Sequence, residues 1–300
     1  MNLELLGVVL RMSTPILLAG TGALYNDKSG VTNITLEGSM LISSFVAVAF
    51  SYFARTWWIG MLAGILVGVF VSLLFHVITS VLGGDELVVG FAFNIFLDGM
   101  SIFLLKQIFH KSGSLVSERI QEIPVVKAKW LENIPILGDI FAGHTWIVYF
   151  AFLFSLATYI IFFHTPIGLK IIACGENPQA AASVGIDVKH VHLGCNLING
   201  LLCGLAGVQL SLGFLSLFTQ GMTVGKGFIA LGSVIFSRGN PLRLMAITLF
   251  FGLADAISNQ MQLYNFPSEL ILMLPYLAVV ILTFIDNDQF KAKFSLNNKK

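Results

Sequence analysis

Charge is what this 300-residue sequence has least of. Asp, Glu, Lys and Arg together make up 11% of it, against about 25% in a typical soluble protein. That excludes a globular domain with an ordinary charged shell. The formal net charge of +1 excludes the basic footprint that tracks nucleic acid phosphates, and argues equally against a strongly acidic partner. Cysteine is scarce too. Cys174, Cys195 and Cys203 have neither metal-ligand spacing nor the even count of a disulfide framework, so they read as small apolar residues. Catalytic constellations are missing: His190 and His192 stand two apart at a helix end with no third ligand, and no Ser/His/Asp set has a persuasive context. Gly221-Met222-Thr223-Val224-Gly225-Lys226-Gly227 is glycine-rich but one residue short of a phosphate-binding loop. Gly227 also stands where Ser or Thr should follow the lysine. The chain is therefore expected to hydrolyse no nucleotide and to bind no metal or cofactor itself.

What fills the sequence instead is apolar: 56% hydrophobic residues, 26 Phe among them, and a mean hydropathy of +0.85. A bilayer core needs about 20 mostly apolar residues per helix. Such windows fall at roughly 5–24, 34–53, 58–82, 88–109, 146–163, 191–217, 243–260 and 268–286, with a shorter one near 225–237. The fold class is all-α, a polytopic transmembrane helical bundle of about 8–10 membrane segments. Residues 1–300 read as a single membrane domain with polar connections at 111–143 and 164–190. Met1-Asn2-Leu3-Glu4 lacks a basic stretch and no small-residue cleavage site follows, so the first apolar run is expected to be retained. Basic residues set the orientation. Lys291, Lys293, Lys299, Lys300, Lys170, Lys189, Arg238 and Arg243 would be cytoplasmic, giving nine crossings with the N-terminus and the 111–143 loop outside if 225–237 crosses the membrane; a re-entrant hairpin there would place the ends differently.

The sequence is organised around a polar island, Gly168 to Ile186. Asn177 suits an N-cap, Pro178 the first helical position, and Gly185 the left-handed residue that ends a helix. The enclosed helix has only about two turns, too short to hold its shape alone in water. It must dock, and an exposed loop that docks reads as the knob by which a membrane protein grips a soluble partner.

Polar side chains at bilayer depth are costly and tend to face a cavity or a partner. Phe91, Asn94, Asp98 and Ser101 share a helix face. So do Asn33, Glu37 and Ser44, then Asn196, Asn199 and Cys203, then Asp255, Ser258, Asn259 and Gln262. Facing inward, these stripes would line a hydrophilic path, or would hydrogen-bond helices to one another. Phe91, Phe214 and Phe218 lie beside them and could stack on a planar ligand. Gly60, Gly64 and Gly68, and Gly200, Gly204 and Gly207, form small-residue ridges for close helix packing. The stretch Gly221 to Phe228 breaks the hydrophobic pattern, as substrate paths in transporters often do.

Together these blocks resemble the permease subunits of ABC importers, in the family of branched-chain amino acid, ribose and simple-sugar permeases. The resemblance is carried by Gly30-Val31-Thr32-Asn33-Ile34-Thr35-Leu36-Glu37-Gly38, by the island, by Asn199-Gly200-Leu201-Leu202-Cys203-Gly204 running into Gly225-Lys226-Gly227-Phe228, and by Pro267-Ser268-Glu269-Leu270. The first and last look most like the nucleoside-importing subfamily, its shorter permease. The resemblance implies a type II-like permease in a bacterial plasma membrane, paired with a longer paralogue. A lipid-anchored extracytoplasmic binding protein would feed it, and a cytoplasmic ATPase carrying ATP and Mg would drive it; no nucleic acid is involved. It makes 164–190 a cytoplasmic coupling loop, with Gly168, Ala173, Gly175, Glu176, Asn177, Pro178, Ala180, Ala181, Gly185 and Ile186 meeting the ATPase. The path would use Asn33, Glu37, Phe91, Asn94, Asp98, Asn196, Asn199, Phe214 and Phe218. Alternatives are a permease for ribose, another sugar or a flavin, an ion-driven secondary transporter relying on Glu37, Asp98 or Asp255, and a membrane enzyme acting on lipid-linked substrates.

Overall fold

The computed structural model describes residues 3–126, 143–261 and 277. The expected segment 268–286, the block from Pro267, the lysine tail and most of the charged loop after residue 126 lie outside the described residues, Leu277 apart. Among the described residues, seven helices are long and apolar enough to cross a membrane. They are α1 (Leu3–Ser29), α2 (Leu36–Ala54), α3 (Trp57–His76), α4 (Glu86–Phe109), α5 (Trp146–His164), α8 (Val188–Leu210) and α10 (Pro241–Met261). The island folds as α6 (Pro166–Glu176) and α7 (Pro178–Ser183), and a short apolar helix, α9 (Lys226–Ser237), precedes α10. Two two-residue strands, β1 (Ser114–Leu115) and β2 (Phe218–Thr219), pair antiparallel. Single π-helical turns extend α3 through Val81 and α8 through Leu215, local wideners that periodicity does not reveal.

Close backbone approach builds the core. A side-chain carbon at Gly68 would come 2.5 Å from the Gly200 carbonyl oxygen, and one at Gly64 2.6 Å from Val208 Cγ2. Gly207 likewise leaves no room against the Met40 carbonyl of α2. The two glycine ridges therefore mesh α3 and α8 with each other and with α2, inside one chain. α1 completes the packing around α8, and α10 packs in turn against α1. α4 is the least enclosed, exposing Val88, Ile95, Phe96 and Phe103.

The first helix runs on to Ser29, past the end expected near residue 24. Its polar last turn is tied into the bundle: Asn26 Nδ2 donates to Asn196 Oδ1 at 3.1 Å, and the Ser29 carbonyl bonds the His192 ring at 2.9 Å. These contacts place the start of α8 beside the end of α1. Gly239, after α9, packs against the Lys28 side chain at that same end. β2, in contrast, pairs with the segment after α4, at the opposite end. Residues 216–237 thus traverse the bundle, first as irregular chain and then as the 12-residue α9. This is the broken crossing that the glycine-rich pattern predicts.

Candidate functional site

The island is built as its sequence suggests. The Thr165 hydroxyl accepts from the Gly168 N–H at 3.3 Å and Pro166 opens α6. Asn177 Oδ1 accepts from the Ala180 N–H at 3.0 Å, Pro178 opens α7, and Gly185 follows with φ +86°. Asp187 then caps α8 through the His190 N–H at 3.2 Å; hydrogen bonds from the His190 backbone and ring hold its carboxyl below the ordinary range. Burial pushes the Cys174 thiol up, as befits a packing residue.

Burial sorts the island residues into two groups. Glu176, Asn177, Pro178, Ala180 and Gly185 are exposed, and Val184 beside them is 75% exposed. Ala173 and Ile186 are half-buried. Gly168 is pressed onto the last turn of α5 and Gly175 onto the backbone of Lys28 and Gly30, while Ala181 is 4% exposed. Gly168 and Ala181, both buried, and the half-buried Gly175 therefore seat the island on this chain's own bundle. The free surface is Glu176 to Ala180 with Ala182 to Gly185.

A second constellation lies where α2 and α4 meet the broken crossing. A cavity of about 360 Å³ is bounded by Glu37, Phe91, Asn94, Asp98, Thr223 and Phe228 among others. Asn94 fixes two walls at once: Oδ1 accepts from the Gly38 N–H at 2.8 Å and Nδ2 donates to the Ile34 carbonyl at 2.9 Å. Phe91 and Asp98 stand exposed on either side of it along α4. Glu37 accepts from the Thr223 hydroxyl at 2.5 Å, the Gly225 N–H at 2.9 Å and the Gly227 N–H at 2.7 Å. A carboxylate thus closes the free N–H groups and the positive end of α9 inside the bundle. Lys226, in that same first turn, pairs with Asp255 of α10.

Other predicted path residues are placed elsewhere. Asn33 is 3% exposed, and its Oδ1 accepts from the Thr35 N–H at 2.9 Å to shape the entry to α2. Asn196 is fully buried, held between Asn26 and His76. Asn199 accepts from the Cys203 thiol at 3.1 Å and lies against Gly22. Phe218 packs its ring 5.2 Å from Phe45 and is fully buried. These four join elements within the bundle and none borders the cavity, because each is buried against neighbouring helices or strands. Phe214 lines a separate cavity. Thr223, Lys226 and Phe228 are not singled out individually by the sequence, and Asp255, on the fourth polar stripe, is not paired there with Lys226. The conspicuous position of Lys226 in an apolar segment was the signal available.

Residues 5–283 match the family model described as the branched-chain amino acid transport system permease component. The chain belongs to this family of ABC-importer permease subunits, and is a multi-pass membrane protein. It is 32% identical, over 90% of its length and 87% of the relative's, to the guanosine ABC transporter permease protein NupQ of Bacillus subtilis. Identity to the nucleoside ABC transporter permease protein NupC of Lactococcus lactis is 31%, over 90% and 87% of the two chains. A putative glucose ABC transporter permease protein of Haloferax volcanii is 29% identical over 86% and 78%. No solved structure matches the chain.

Proposed function

We propose that the chain is the permease subunit of a nucleoside importer in a bacterial plasma membrane. The observation that carries this reading is the similarity, at 32% and 31% identity over 90% of the chain, to a guanosine and a nucleoside permease. The cavity supports it: Phe91 and Phe228 offer ring faces, and Asp98 offers hydrogen-bond acceptors, a set that suits a planar base joined to a sugar. The path runs past Glu37, Phe91, Asn94 and Asp98, with α4's exposed face turned to a paralogous permease. Glu176 to Gly185 engage a separate cytoplasmic ATPase, which carries ATP and Mg, and an extracytoplasmic binding protein delivers the ligand. The test is reconstitution of the assembled importer in proteoliposomes. ATP-dependent accumulation of labelled guanosine is the expected result; glucose or ribose transport without nucleoside transport refutes it. Glucose is the specific second reading, because of the Haloferax relative.

A further inference from the structure

A second cavity, of about 220 Å³, lies between α1, the end of α8, α9 and α10. It exceeds the roughly 150 Å³ that admits a benzene ring in an engineered protein core. The two cavities share one wall. Met222 and Lys226 line this one, Gly221, Thr223 and Gly225 line the first, and Val224 borders both. Glu37 holds that wall from one side and Asp255, through Lys226, from the other.

The lining is unlike a packing defect. Gln209 is 1% exposed and its Oε1 accepts from Thr145 at 2.8 Å, yet its Nε2 donates to no group among the described residues. A buried amide N–H without an acceptor is costly. Arg11 reaches the cavity from α1, held at its edge by His144 at 3.4 Å. Phe214 presents a partly exposed ring and Asn259 a second amide, while Lys226 and Asp255 neutralise each other. An aromatic face, two amides and one guanidinium match a flat ring system with carbonyl and ring-nitrogen acceptors on its edge.

We infer that this cavity is a second station for the base of a transported nucleoside, formed by this chain alone and divided from the first cavity by residues 221–226. The inference rests on the nucleoside reading above. It is tested by thiol protection in vesicles carrying the whole importer, with Leu215→Cys, and with Met12→Cys as a second reporter on the same lining should the first not assemble. The native cysteines are buried and give little background. Hypoxanthine and guanosine are expected to slow maleimide labelling at these positions at least threefold, with ribose ineffective. Val184→Cys, exposed on the island, is expected to label at an unchanged rate. Accumulation of guanosine without protection overturns the second station and leaves the importer reading intact. Equal slowing at Val184→Cys, or equal protection by ribose, overturns it as well. Vesicles that neither accumulate nucleosides nor show protection overturn the nucleoside reading itself.

Discussion

Replacing Glu37 with Gln changes one atom's chemistry at the point where the broken crossing is held. The carboxylate accepts three hydrogen bonds, from Thr223, Gly225 and Gly227, at 2.5, 2.9 and 2.7 Å. Hydrogen bonds to a charged group contribute about 1.5–3 kcal/mol each and neutral ones about 0.5–1.5. Gln can keep the two bonds to Oε1 in neutral form, but its amide nitrogen then meets the Gly227 N–H, donor against donor. The charge opposite the helix dipole is also lost, worth about 0.3–1 kcal/mol. Because the bonds share one side chain and are not additive, the net loss should be about 2–4 kcal/mol, or between 30-fold and 1,000-fold in the population of the held loop. The variant should reach the membrane in near-normal amount, since the glycine ridges are untouched, yet take up substrate at under a tenth of the normal rate. A thiol at position 223 should label faster in this background. Normal uptake with an unchanged labelling rate would refute the latch.

Other substitutions test other links. Gly68→Val places a branched side chain against the Gly200 carbonyl, where even one carbon would stand at 2.5 Å; overpacking of this kind costs about 1–3 kcal/mol or more. Its membrane level and melting temperature in detergent should both fall, whereas Gly194→Val, where nothing lies within 4 Å, should leave them unchanged. Ala182→Glu, on the exposed side of α7, should leave the amount of permease unaltered while abolishing ATPase stimulation; Ala181→Glu, 4% exposed, should instead lower the amount of folded protein. Asp255→Asn leaves Lys226 without its partner in a site where both side chains are under a fifth exposed. Loss of folded protein by about 3–5 kcal/mol is expected, with substantial recovery in Lys226→Met, Asp255→Leu, because an apolar pair removes both charges. Equal stability of the single and double variants would contradict that account.

The membrane spans were legible because each is a local property of about 20 residues. The stripe Phe91, Asn94 and Asp98 was legible for the same reason, since spacing along one helix fixes a face. What faces that stripe is not local. Asn196 and Asn199 follow the same periodicity as the α4 stripe, yet α8 is surrounded by α1, α2 and α3, so their polar groups meet other helices instead of a path. Glu37 stands out in the sequence as an acid among apolar residues. That it holds the start of α9 depends on a contact across 190 residues of sequence that no periodicity encodes. The packing of Gly175 is likewise not local. The resemblance places it on the ATPase-facing island, and the structure adds that the end of α1 crosses it, a contact that no local pattern encodes. The short α9 was legible as a broken crossing from its glycines, while the strand pair that marks its far end was too short for any pattern to register.

The most direct measurement is uptake of labelled guanosine, adenosine and uridine by cells with and without this gene, with unlabelled ribose and glucose as competitors. Loss of nucleoside uptake on deletion, restored by the gene and indifferent to both sugars, is the expected result. Undiminished nucleoside uptake in the deletion strain, with glucose or ribose uptake lost instead, would contradict the nucleoside assignment.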